Sequence, residues 1–164
     1  MRIIIGNIFS LLASLVDSYS GTKKSKKEMM LWQLVSQFFY AGCNFTLNAY
    51  SGLTQNIVTV FRNYFASKEK VPKVIEVVLV LSALILGIVF NNLGIIGLLP
   101  VIANFQYSVA LFKFSNNFKV IKISFIIVQV CFVVYNAIIY NFVGAIFAAI
   151  ILVTTLVSLI TTSK

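Results

Sequence analysis

Apolar runs of roughly 20 residues recur along the whole chain, and no charged stretch between them exceeds about ten residues. A run of that length, wound as a helix, matches the thickness of a bilayer's hydrocarbon core. The gaps are too short to hold a soluble domain. The composition agrees: 60% hydrophobic, 10% charged, and a mean hydropathy of +0.98. The fold class predicted is an all-α integral membrane protein. The spans fall at about Ile3–Tyr19, Glu28–Asn48, Leu53–Ala66, Val74–Phe90, Ile95–Phe112, Val120–Tyr140 and Phe142–Ile160, with tight turns expected at Tyr50-Ser51-Gly52 and at Asn141.

Charge tests the count of seven. If the loop after the first span is cytoplasmic, so are Lys23, Lys24, Lys26, Lys27, Arg62, Lys68, Lys70, Lys73, Lys113, Lys119, Lys122 and Lys164, which is twelve of the thirteen basic residues. Only Arg2 falls outside, in agreement with the positive-inside rule. Lys73 and Lys113 flank 39 residues, and only two crossings return the chain to the same side. The expected topology is a multi-pass protein of the plasma (inner) membrane, N-terminus outside and C-terminus cytoplasmic. The net charge of +9 then reflects topology and contact with anionic lipids at the lysine loops, not nucleic acid.

A weak internal repeat crosses this layout. Shifted by 92 positions, Ser36–Gly52 falls on Val128–Gly144, with Gln37 on Gln129, Asn44 on Asn136 and Gly52 on Gly144. Gln and Asn seven residues apart lie nearly in register on one helix face. An odd linking span lets two three-helix units point the same way. The architecture expected is therefore seven transmembrane helices as two parallel three-helix bundles joined by a linker helix: residues 1–66, then 67–91 as loop and linker, then 92–164. The fourth span suits the linker, since Ser82 is its only polar side chain from Val77 to Phe90.

Most other spans carry polar residues: Asn7, Ser10, Ser14 and Asp17 as one stripe, Gln33 to Asn48 on the second span, Thr54 to Thr59 on the third, Asn104 to Ser108 on the fifth. They either hydrogen-bond to one another as glue or line a path for a small polar solute, with Gln37, Asn44, Asn104, Tyr107, Gln129 and Asn136 binding it. Amides suit that role because they both donate and accept. Asp17 is read as an interfacial carboxylate near Lys23 and Lys24, although intramembrane acids are functional suspects by default. Arg62 is read as a charge close to the cytoplasmic face. Trp32 and the tyrosines near span ends read as interface anchors.

Catalysis, metals and cofactors find no support. The chain has no histidine, Cys43 and Cys131 form no CxxC pair, and there is no paired carboxylate at mid-depth or Gly-rich phosphate loop. No enzyme, metal or cofactor is expected; self-association is left open. The reading is a facilitator for a small neutral polar solute such as a sugar, nucleoside or vitamin. The alternative is a non-transporting assembly partner or regulator.

Leu99-Pro100-Val101-Ile102, Cys131-Phe132-Val133-Val134-Tyr135-Asn136 with the later Gly144, and Val60-Phe61-Arg62 resemble YgjV-like bacterial inner-membrane proteins. The three-one-three layout is also similar to the SWEET sugar uniporters and PnuC vitamin transporters of the PQ-loop type. That resemblance implies two bundles facing each other across a central site with paired asparagines. The sequence departs from that wider group in lacking a Pro-Gln pair at the inner end of each bundle's first helix: the first span has no proline, and Pro100 sits at the outer end of the fifth.

Overall fold

The computed structural model describes residues 1–21, 23, 25–68 and 70–162; Lys24 and Lys164 of the charge argument lie outside the described residues. Seven helices account for nearly all of them: α1 (Arg2–Gly21), α2 (Lys26–Thr46), α3 (Tyr50–Ala66), α4 (Lys73–Val89), α5 (Gly94–Lys113), α6 (Phe118–Ile138) and α7 (Phe142–Thr162). Three of these, over Arg2–Ser20, Gly94–Lys113 and Phe118–Ile138, are long and apolar enough to cross a membrane, and Phe142–Val157 is a shorter apolar stretch.

The surface is apolar and the interior polar. Ile4, Phe38, Phe45, Val74, Ile95 and Ile102 are exposed, while Ser10, Ser14, Gln33, Ser36, Asn44, Gln55, Asn56, Arg62, Asn63, Asn104, Gln129 and Asn136 are buried. A soluble domain distributes these residues the other way round. Against lipid the arrangement is the favourable one, because helices satisfy their own backbone and polar side chains meet one another inside.

The repeat extends far beyond the residues that reveal it. Moved by 92, both ends of α1 fall on the ends of α5, both ends of α2 on those of α6, and the start of α3 on the start of α7. The helix starts repeat too: Ser25 Oγ accepts from Glu28 N, and 92 residues on Asn117 Oδ1 accepts from Val120 N, each quenching a free amide of the first turn. At the far ends, Ala49 N donates to Asn44 O and Asn141 N to Asn136 O. The residues just before these donors, Asn48 and Tyr140, share a left-handed backbone with φ of 55° and 62°.

These turns correct the expected boundaries. Asn48 and Tyr140 lie beyond the helices in which they were placed, and Tyr50–Gly52 is the first turn of α3, the reversal being Leu47–Ala49. The carbonyl freed in each reversal is taken by an amide of the other half. Asn92 Nδ2 donates to Asn48 O at 2.7 Å, and Asn7 Nδ2 donates to Tyr140 O at 3.1 Å.

Within the first repeat α2 packs between α1 and α3; within the second α6 packs between α5 and α7. The halves meet where α3 packs on α5 and α1 on α7, so six helices form a closed ring, and α2 and α6 face each other without packing together. Helix α4 packs outside the ring, on α3 and α5 alone. Its buried side is Leu79, Ala83 and Gly87, a stripe at a four-residue step. Gln55 of α3 donates to Ala83 O at 2.6 Å, and Gly87 lets Gln55 and Val101 come closer than a Cβ there would allow.

Candidate functional site

Within the ring, the polar face of α2 meets that of α6. Gln33, Gln37, Tyr40 and Asn44 of α2 line a central cavity, and so do Phe125, Gln129, Phe132 and Asn136 of α6, each 92 residues from its counterpart. Steps of three and four keep the four residues of each set on one helix face. The cavity volume is about 70 Å³, room for several water molecules. All six residues expected to bind a solute line it: Gln37, Asn44, Asn104, Tyr107, Gln129 and Asn136.

Asn44 and Asn136 differ in their bonding. Asn136 Oδ1 accepts from Asn141 Nδ2 at 3.0 Å, and Asn141 Oδ1 in turn accepts from Gly144 N. Ala49 stands at the equivalent of Asn141, so Asn44 Oδ1 has no hydrogen-bond partner. Asn56 Nδ2 and Tyr107 Oη are likewise buried and unpartnered. Three orphaned polar atoms around one small space are costly unless water or a ligand meets them.

Two charged residues expected near the cytoplasmic edge, Arg62 and Asp17, line the same cavity; for Arg62 this is a correction, since its side chain is buried and turns inward. Arg62 is only 3% exposed. Its Nη1 donates to Asn104 Oδ1 and Ser108 Oγ, and its Nε and Nη2 donate to Asn63 Oδ1. The guanidinium lies 4.9 Å from the Tyr107 ring centre, a cation–π contact. Asp17 accepts from Ser36 Oγ at 3.4 Å and lies beside Ser20. The sequence signal for Arg62 was its spacing: Asn56, Thr59 and Arg62 recur every third residue, a polar stripe that does not stop at the membrane edge.

The cavity is closed at one end and widens at the other. Ala49, Tyr135 and Ile139 pack with Leu93, Ile96 and Leu99 beside the two reversals. Towards the lysine loops, Asp17, Gln33, Tyr107 and Phe125 are shared with a second cavity of about 540 Å³, whose rim carries Lys23 and Lys122. Tyr19 and Trp32 meet edge to face there, with Lys23 Nζ 3.7 Å from the Tyr19 ring centre.

Other amides act as glue. Asn7 accepts from Val143 N in addition to its bond to Tyr140 O, joining α1 to α7. Gln106 and Ser124 bond reciprocally between α5 and α6. Among the described residues no three His, Cys, Asp or Glu side chains gather as metal ligands do.

An apolar exterior around a ring of helices with a polar centre defines a helical membrane protein. A family model for Imp-YgjV, described as a bacterial inner membrane protein, matches residues 4–164, and the chain belongs to that family. No curated protein and no solved structure matches it.

Proposed function

We propose that the protein is a facilitator that passes a small polar solute across the inner membrane through the cavity between its two repeats. The observation that carries this reading is the paired lining of that cavity: two equivalent helix faces, α2 and α6, held apart and presenting matched amides, Gln37 with Gln129 and Asn44 with Asn136, around an open space. Seven spans in a parallel three-one-three arrangement, as in SWEET-like and PQ-loop proteins, account for the 92-residue repeat and for α4 outside the ring. A neutral solute would exchange its hydration for Gln37, Asn44, Asn104, Tyr107, Gln129 and Asn136. The closed end beside Tyr135 and the wide end near the lysine loops correspond to a site open to the cytoplasm, with the N-terminus outside. The lysines there would rest among anionic headgroups. The reading involves no catalytic step, metal or cofactor.

The second reading is a membrane assembly partner whose amides only fasten helices. The bonds of Asn7, Asn92 and Gln106 favour it, for those amides are engaged through both oxygen and nitrogen in holding elements together. A thermal-shift screen of the purified full chain against sugars, nucleosides, vitamins and amino acids separates the two. Transport predicts that one solute class raises the unfolding midpoint; an assembly partner predicts no shift with any of them.

A further inference from the structure

We infer that the central cavity is built for a small zwitterion, a free amino acid, whose carboxylate pairs with Arg62 and whose ammonium group pairs with Asp17. This rests on the facilitator reading and names the class of its solute. Of the described residues lining the central cavity, Arg62 and Asp17 alone are charged. Arg62 is buried, and its hydrogen-bond partners Asn63, Asn104 and Ser108 are all neutral. Among the described residues, no carboxylate oxygen bonds to it. A buried cation held only by neutral groups is poorly compensated, and within a membrane such a residue marks the path of a ligand or ion. Its planar fork fits a carboxylate better than any other common group. Asp17, at the mouth shared with the larger cavity, accepts hydrogen bonds among the described residues from serine hydroxyls.

Charge balance chooses among solutes. The empty lining sums to zero, with one cation and one anion. A zwitterion keeps the sum at zero and gives each charge a partner. A simple anion or cation leaves an excess charge in a confined space, and a sugar leaves both Arg62 and Asp17 unpaired. Size argues the same way, since about 70 Å³ suits a solute of few heavy atoms.

The test uses the purified full chain in detergent and measures binding of the common amino acids, and of sugars, nucleosides and vitamins, one at a time. For the tightest amino acid, its 2-hydroxy acid and its amide are then compared; each keeps one charged end and loses the other. We expect at least one amino acid to bind, and both analogues to bind roughly tenfold or more weakly, as loss of a charge-assisted contact implies. In Asp17→Asn, which can still accept from Ser36, the order should invert, with the hydroxy acid binding at least as tightly as the amino acid. The wild-type comparison stands alone if that variant does not fold. Equal binding of the amino acid and both analogues overturns the proposal. Binding of sugars or nucleosides without amino acids overturns it too, while leaving the facilitator reading in place. Binding of no solute overturns both.

Discussion

At the residue scale, the amides inside the ring differ in what they meet: some line the cavity and some fasten two helices. Asn44 and Asn136 occupy equivalent places, yet only Asn136 is tied to its reversal through Asn141. Replacing Asn44 with Ala should weaken solute binding by about 1–3 kcal/mol, as expected for loss of one polar partner, with little change in stability. Asn136→Ala should weaken binding by a similar amount and also lower the unfolding midpoint. Paired binding and thermal-unfolding measurements check the difference. The left-handed residue of the first reversal gives a backbone test. Asn48→Val should destabilise by about 1–2 kcal/mol, because a β-branched side chain resists positive φ, whereas Asn48→Gly should be nearly neutral; denaturation of the two variants separates them. The lining amides were legible in the sequence because a buried amide needs a reason. Arg62 and Asp17 were not, because a charge within a turn of a span's end looks the same whether it turns outward to headgroups or inward to a cavity.

At the element scale, helix identity was legible throughout, and boundaries were off by a few residues where the chain reverses. The misplaced turn at Tyr50–Gly52 has a physical cause. Gly52 signals a turn in isolation, but here it serves packing: a Cβ at Gly52 would lie 2.5 Å from Tyr135 Oη and 2.8 Å from Asn44. Gly52→Ala should therefore destabilise by about 1–3 kcal/mol through overpacking, visible as a lower unfolding midpoint. Helix α4 was legible as the odd helix because Ser82 is its only polar side chain beyond Glu76, and its packing outside the ring fits that composition. Leu79→Ala, on its buried stripe, should destabilise by about 2–3 kcal/mol. Ile85→Ala, on its exposed side, should change little, and neither should alter solute binding, which thermal unfolding and binding assays on the same samples report.

At the scale of the whole molecule, two three-helix repeats offset by 92 residues enclose a space that neither half forms alone. Sequence identity showed the repeat at only a few positions, because elsewhere a membrane helix demands apolarity and volume more than a given residue. The asymmetry between halves was not legible. The α3 side carries Asn56, Thr59 and Arg62, while α7 offers Gly144 and Ala148, so one wall holds the charge and the other leaves room. Topology is a property of this scale. Reporter fusions after Lys27, Lys70 and Asn116 should all report the cytoplasm, and an opposite signal at Asn116 would remove the separate fourth and fifth spans.

The central claim is that water and solute reach the space between α2 and α6. Single cysteines made by Gln37→Cys and Gln129→Cys, in a chain whose Cys43 and Cys131 are replaced by Ala, test it with a water-soluble thiol reagent; Ile85→Cys on the outer side of α4 serves as the lipid-facing control. The account predicts that positions 37 and 129 are both labelled while position 85 is not. Failure of both cavity positions to react, with the proteins folded, would contradict it and leave the amides as fasteners of a solid bundle.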